Sequence, residues 1–451
     1  MHFRNPYKEP PDFAILAECY PKLRQYLIPG RDGHTTIDFW NNDAQRALTE
    51  ALMLRDFSIR LTLPSERLCP PVRTAKVMRA APQNIGTVNL IPRLNYILWL
   101  QDIVRHSPAT LDGTVRGLDV GTGASAIYPL LGCKLESKWT FIATDIDKTS
   151  YESALLNVAR NDLQERIKVQ LSDADAPLFK LLEDSSAVFS FTMCNPPFYA
   201  TAEEVSRSAE MKHLPPNAAC TGADIEMITD GGEARFVRRM VEESLQHPLR
   251  CRWYTSMLGK LSSLMEIVDD LKGNNVDNYA ITEFTQGQTR RWAVGWSFYR
   301  DRLPDSIARI ENPNPMVQGL LPGRNTVIQP LKNKTCSDPE VLMGVINEIK
   351  DVWVQQKQAA EWDDSDVPWK LIVEVTGDTW SRKARRANKS SQTKLNVEME
   401  NCEKGTAVSV FSVGWKNDGG SLLVFQWIRG EDGALFMSFS SYVTRKVQDV
   451  I

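Results

Sequence analysis

The chain predicts an α/β protein: a mostly parallel sheet covered by helices, followed by a smaller α+β domain. Three observations carry this. From Arg116 onward, short β-type runs alternate with helical stretches; a glycine-rich turn follows the first of those runs; and a second set of strands and helices follows a proline-rich stretch that starts near residue 301. With 451 residues the chain can build two or three cores, and 42% hydrophobic with 24% charged residues is a globular composition.

Charge and cysteine usage exclude several classes. A formal net charge of -3 rules out a uniformly basic nucleic-acid coat, so any RNA or DNA site must be a local patch. No apolar run approaches the roughly 20 residues that span a bilayer, and the start "MHFRNPYKEPPDF" has no signal-peptide core, which gives the expectation of a cytosolic or nuclear protein without a membrane partner. Eight cysteines and five histidines are scattered without metal-ligand spacing, so neither a metal site nor a disulfide framework is expected.

Taken in order, residues 1–115 read as a helical extension. It contains "PDFAILAECYPKLRQYL", "NNDAQRALTEALMLRDF" with an Asn/Asp cap, and an inserted loop over Arg73 to Ile91 before "PRLNYILWLQDIV". Residues 116–300 hold the alternating runs "RGLDVGTGAS", "TFIATDID", "SYESALLNVARNDL", "IKVQLS", "VFSFTMCNPPF", "EARFVRRMVEESLQ" and "CRWYTSMLG". Residues 301–337, with five prolines, read as a linker. Residues 338–451 read as helix ("DPEVLMGVINEIKDVWVQQ"), three strands ("WKLIVEV", "AVSVFSVGW", "SLLVFQWI") and a final helix ("GALFMSFSSYVTRKV"), an α-β-β-β-α order.

The first β-run ends in Asp119-Val120-Gly121-Thr122-Gly123-Ala124-Ser125-Ala126. Glycines at a strand-to-helix turn let backbone approach a ligand, and an acid roughly 20 residues later can accept bonds from a ribose, a place filled here by Asp145. That pattern also fits a nicotinamide dinucleotide. Asp119 tilts it toward S-adenosylmethionine, whose ammonium needs an anionic neighbour that a pyrophosphate would repel.

"CNPPFY", Cys194 to Tyr199, follows an apolar run suited to a buried strand, which puts Asn195 at the strand's C-terminal end. An exocyclic adenine amine is a poor nucleophile because its lone pair is delocalised into the ring. Acceptors that draw on both N–H bonds free that pair, and the Asn195 side chain and the Pro196 carbonyl are such acceptors, held by Pro196 and Pro197 without competing donors. Phe198 or Tyr199 would stack on the base, a contact worth about 1 to 3 kcal/mol.

These motifs resemble the class I amino-methyltransferases acting on adenine N6 or on glutamine. "PPDFAILAECYP", "RALTEALMLRDF", "PRLNYILWLQD", "GTGASAIYPLLG", "CNPPFYA", "RCRWYTSMLGK" and "TEFTQGQTRRWAVGWSFY" narrow the resemblance to the methyltransferase-like 16 family, whose members methylate N6 of an adenosine in U6 spliceosomal RNA and similar hairpins. The chain resembles a fungal-like or otherwise divergent member. The resemblance implies a Rossmann-like class I methyltransferase domain with a helical N-terminal extension. It implies S-adenosylmethionine held by Arg93, Asp119, Gly121, Gly123, Ser125, Asp145 and Asn195, with Asn195, Pro196, Pro197 and Phe198 at the reaction. Structured RNA would meet Pro10, Pro11, Asp12, Phe13, Tyr199, Gly259, Lys260, Gln286, Arg290, Arg291 and Trp292. Nuclear work follows for a U6 RNA enzyme in splicing, with the cytoplasm also open.

Three positions depart from the family. Asp145 stands where a Glu is usual, acidic "SDADAP" with Asp175 replaces a loop lysine that occludes the cofactor site, and the Arg73 to Ile91 segment has no counterpart. The C-terminal region resembles an auxiliary RNA-binding module by pattern, with Arg382, Lys383, Arg385 and Arg386 as its phosphate patch. The expectation is an RNA adenosine N6-methyltransferase. A protein glutamine methyltransferase, a nicotinamide oxidoreductase and a non-catalytic RNA chaperone are the alternatives: the first needs no basic flanks, the second leaves Asn195 unexplained, and the third tolerates loss of the pocket.

Overall fold

The computed structural model describes residues 2–7, 11–30, 35–38, 41–64, 90–108, 113–183, 188–204, 227–286, 289–332, 339–349, 351–358, 369–381, 384, 386, 409–417 and 420–451. The chain divides into two compact units, Met1–Tyr299 with Asn312–Leu321, and Arg300–Glu311 with Pro322–Ile451. Residues 65–89, most of the expected inserted loop, lie outside the described residues.

In the first unit, α1 (Phe13–Cys19) and α2 (Asn42–Phe57) open the chain, each capped by the residue before it. The Asn41 side chain accepts from the backbone of Asp43 and Ala44, as the Asn/Asp signal predicts. The helical run after α1 does not continue: at Pro21 it tightens to a 3-10 turn, and Leu27–Pro29 then pairs with Thr35–Ile37. Helix α3 (Leu90–Arg105) takes in the last residues of the segment read as an inserted loop.

Seven strands follow. They are β1 (Val115–Val120), β2 (Trp139–Asp145), β3 (Ile167–Leu171), β4 (Phe189–Cys194), β5 (Cys251–Leu258), β6 (Tyr279–Gln286) and β7 (Thr289–Trp296). Their order is β3-β2-β1-β4-β5-β7-β6, parallel from β3 through β5, with β7 antiparallel to both its neighbours. Helices α4 (Ile127–Leu135), α5 (Lys148–Arg160), α6 (Gly232–Gln246) and α7 (Leu261–Gly273) connect them. Every residue of β4 is buried, as a continuously apolar strand inside a helix-covered sheet requires.

The second unit holds β8 (Thr326–Pro330), α8 (Pro339–Asn347), β9 (Val352–Gln358), β10 (Trp369–Val375), β11 (Ser409–Asn417), β12 (Ser421–Arg429) and α9 (Gly433–Val450). Its sheet runs β8-β12-β11-β10-β9, all antiparallel, and Leu342, Ile346, Phe436, Phe439 and Val443 of the helices pack on Leu371, Phe411 and Phe425.

Two sequence expectations change here. The long helix from residue 338 stops after Asn347, because Asp351 takes a left-handed conformation (φ 59°) and Val352-Trp353-Val354 pairs with β10. Part of the 301–337 stretch is strand β8, so it is not a plain linker. Pro330 closes that strand at the sheet edge, where a missing N–H costs no ladder bond. From β8 onward the order among the described residues is therefore β-α-β-β-β-β-α.

Candidate active site

The sheet order reverses between β1 and β4, the place where open α/β sheets bind ligands beyond their strand ends. Val120 and Cys194 are register partners, so Gly121 and Asn195 leave adjacent strand ends into one crevice. The glycine turn and the Asn-Pro-Pro loop, 74 positions apart by number, thus converge.

The turn is tied down from its outer side. Gly121 and Thr122 both donate N–H bonds to the Thr144 carbonyl at 2.9 Å, and Gly123 donates to Asp145 Oδ2 at 2.8 Å. Asp145 Oδ1 accepts from Asp147 N–H at 2.9 Å, so this buried acid braces the turn as well as ending β2. Asn157 of α5 adds a bond to the Ala124 carbonyl, and Ser125, the next residue, is buried. Gly121 (φ 73°) and Gly123 (φ 67°) need the left-handed region, and a Cβ built on either would meet no atom within 4 Å. The turn therefore has room for a ligand at van der Waals distance from backbone.

Asp119 is 1% exposed, and neither of its carboxylate oxygens has a hydrogen-bond partner of good geometry. Burial pushes its pKa up to about 7; the nearby Thr122 hydroxyl pulls it down and the Asp145 carboxylate adds repulsion. An unpartnered buried carboxylate is costly unless a cationic group meets it. Around it, the Tyr128 phenol is pushed up by burial, drawn back by the Arg93 charge and raised further by Asp119 and Cys194. Arg93, Asp119 and Cys194 thus all act electrostatically on one phenol. A cationic ammonium at Asp119 and an anionic carboxylate toward Arg93 fit this charge pattern.

Asn195 Oδ1 is also buried and unpartnered. The strand end that carries it is fixed by Tyr96 of α3, whose hydroxyl accepts from Cys194 N–H at 3.4 Å and lies 2.7 Å from Thr255 Oγ1. Pro196 is buried, and Pro197 and Phe198 are half-buried. Arg291 of β7 lies over the Phe198 ring at 4.9 Å and donates to the Gly259 carbonyl at 3.2 Å. Tyr199 exchanges backbone bonds with Met227 and Thr229, each at 3.0 Å.

The residues expected to meet RNA have these surroundings. Asp12 is exposed and caps α1 by accepting from Ala14 and Ile15, and Phe13 is 8% exposed. Trp292 is buried at 8% exposure with an unpartnered indole N–H, on the strand face opposite Arg291. Lys260 Nζ pairs with Glu204, and Arg290 with Glu283 at 3.0 Å. Pro11 is half-buried and Arg386 exposed; Gln286 ends β6. Pro10, Arg382, Lys383 and Arg385 lie outside the described residues. Asp175 is exposed in the loop after β3. Sequence reasoning singled out neither Glu233 nor Glu204, whose carboxylates accept from the backbone of Gly259 and Lys260 and of Ala200.

Among the described residues no group of acids, cysteines and histidines could hold a metal, and no helix is long and apolar enough to cross a membrane. Residues 1–300 match the family model for RNA methyltransferases. The chain is 35% identical over 423 residues to the U6 small nuclear RNA (adenine-(43)-N(6))-methyltransferase of Schizosaccharomyces pombe, covering 92% of this chain and 95% of that protein. It is 40% identical to mouse RNA N(6)-adenosine-methyltransferase METTL16 over 69% of this chain, and spans only 55% of that relative's length and 63% of the human one. The human METTL16 catalytic domain in complex with the MAT2A 3'UTR hairpin 1 superposes with a TM-score of 0.58 at 37% identity, over 69% of this chain and 99% of that one. The human METTL16 N-terminal domain in complex with SAH gives 0.52 at 38% identity, over 66% and 99%. The chain belongs to the RNA methyltransferase family.

Proposed function

We propose that the chain is an S-adenosylmethionine-dependent methyltransferase acting on N6 of an adenosine in structured RNA, of the U6 small nuclear RNA class. One observation carries the reading. At adjacent ends of β1 and β4, an unpartnered buried carboxylate (Asp119) and an unpartnered buried amide oxygen (Asn195) open on one crevice, the first suited to an ammonium and the second to an amine.

Bound there, S-adenosylmethionine would supply an activated methyl group on a sulfonium. Asp119 would hold its ammonium, Arg93 its carboxylate, the Gly121 and Gly123 backbone would allow close approach, and Asp145 would accept from the ribose. Asn195 Oδ1 and the Pro196 carbonyl accept the two N–H bonds of the target amine, and Phe198 stacks on its base with Arg291 behind the ring. The amine is neutral and loses its proton after transfer, so no general base is needed beforehand. Arg290 and Arg291 stand near phosphates, the present acidic partner of Arg290 being exchangeable at the surface.

The names of the relatives support the substrate, and a nuclear site of action follows from U6 RNA. We assign the second unit an auxiliary RNA-binding role. A protein glutamine methyltransferase would use the same Asn195 geometry but needs none of these cations. Incubation with methyl-labelled cofactor and RNA, DNA and protein pools, followed by digestion of RNA to nucleosides, tests the reading: label in N6-methyladenosine supports it, and label confined to protein overturns it.

A further inference from the structure

Glu233 is the second residue of α6, 1% exposed, and takes no part in the cofactor and RNA contacts proposed above. Its Oε2 accepts from Gly259 N–H at 2.7 Å and its Oε1 from Lys260 N–H at 2.8 Å, so one carboxylate grips two successive backbone donors after β5. The carbonyl of the same Gly259 accepts from Arg291, whose guanidinium covers Phe198. Gly259 sits at the meeting point. A Cβ there would lie 3.0 Å from Phe198 Cδ1, 3.1 Å from Arg291 Nη1 and 3.1 Å from Glu233 Oε2, so the three groups close tightly on this backbone and would have to give by a few tenths of an ångström for any side chain.

We propose that Glu233 is a positioning residue: through the Gly259-Lys260 turn and Arg291 it sets the plane in which Phe198 receives the target base. The inference rests on the adenosine N6 reading above. Three segments meet at the clamp, α6, the turn after β5 and β7, and each is itself anchored in the sheet or its helices. A second tie runs parallel to it. Lys260 pairs with Glu204, and Glu204 Oε2 accepts from Ala200 N–H at 2.8 Å, just past the Asn-Pro-Pro-Phe run. The ring is thereby held from behind and its loop from its far end.

A buried carboxylate that is not in the reaction is expensive unless its hydrogen bonds repay it. Burial pushes Glu233 upward, against which the Gly259, Ser263 and Lys260 donors and the Arg291 charge hold it down. Both of its oxygens are in use, so the isosteric amide cannot substitute. A glutamine offers one acceptor and turns its NH2 toward an N–H donor.

The test uses the full chain and a hairpin RNA in two forms, with adenosine or with the fluorescent base 2-aminopurine at the target position. In the wild type, the adenosine hairpin is methylated and the 2-aminopurine signal is quenched as the base stacks on Phe198. With Glu233→Gln, the inference expects cofactor affinity within about twofold, but a single-turnover rate at saturating RNA lowered about tenfold or more and a partial loss of quenching, the effect of a misplaced reacting group. Gly259→Ala, which pushes on Phe198 from the other side of the clamp, should give the same pair of changes and serves if Glu233→Gln fails to fold. Wild-type rate and quenching in the folded variants would overturn the positioning role while leaving the function intact. A wild type that places no methyl group on adenosine would remove the functional reading and the inference with it.

Discussion

The Arg291 guanidinium lies 4.9 Å from the centre of the Phe198 ring and is fixed there by the Gly259 carbonyl. An arginine expected from sequence to meet phosphate therefore also backs an aromatic face beside Asn195. Arg291→Lys keeps the charge but loses the planar stack. The variant should retain most hairpin affinity and cofactor affinity, while methyl transfer at saturating RNA falls by about tenfold. Parallel binding and single-turnover assays check this, and a purely electrostatic role, preserved by the lysine charge, would show instead as binding and saturated rate both close to wild type.

The proposed role of Asp119 at the cofactor's ammonium predicts a pH dependence. Its pKa is raised from 3.8 to about 7 in the folded chain by burial. A raised folded value means a stability contribution fully present below about 4 and lost as pH rises through 7. Ligand-free Asp119→Asn should therefore be more stable than wild type at pH 8, by on the order of a few kcal/mol, with the gap closing toward pH 4. Cofactor affinity should rise from pH 5.5 to 7 in the wild type, as the carboxylate ionises, and stay weak and flat in the variant. Thermal melts and calorimetry across that range decide it.

Packing under the site predicts a stability effect at Gly117 in β1. A Cβ there would stand 2.7 Å from Phe141 and 2.8 Å from Phe191, two rings that already pack edge to face. Gly117→Ala should cost about 1 to 3 kcal/mol by overpacking. Chemical denaturation of the two proteins measures it, and an unchanged midpoint would mean the rings yield freely.

The basic run in the second unit gives a fourth expectation. Neutralising Arg382, Lys383, Arg385 and Arg386 together should reduce the slope of log affinity against log salt by about 0.7 to 0.9 for each phosphate that the variant no longer neutralises. Ending the chain at Leu321 removes the strands of that unit while keeping Asn312–Leu321 of the first; hairpin affinity should fall while the saturated methyl-transfer rate survives. A salt titration of the three proteins on one hairpin reads both effects.

Legibility followed the distance over which chemistry is encoded. Asp119, Gly121, Gly123 and Asn195 were readable because each motif is continuous in sequence and its residue types match one chemical task. The clamp was not readable, because Phe198, Glu233, Gly259 and Arg291 come from four segments that only the fold assembles. Trp292 looked like a surface aromatic, yet alternation along β7 turns it inward when Arg291 faces the loop. The stretch after Asn347 misled for a different reason. Val352-Trp353-Val354 carries apolar residues that suit a helix or a strand, and the choice is made by pairing with β10 and by the turn at Asp351. Prolines likewise suggested a linker where one of them closes an edge strand.

The most direct test of the reaction is the single-turnover rate of Asn195→Ala at saturating cofactor and hairpin RNA. Removing Asn195 Oδ1, a buried acceptor without a partner, should lower methyl transfer by about a hundredfold or more, with cofactor affinity within a few fold. A variant that transfers methyl groups at close to the wild-type rate would contradict the assignment of Asn195 to the target amine.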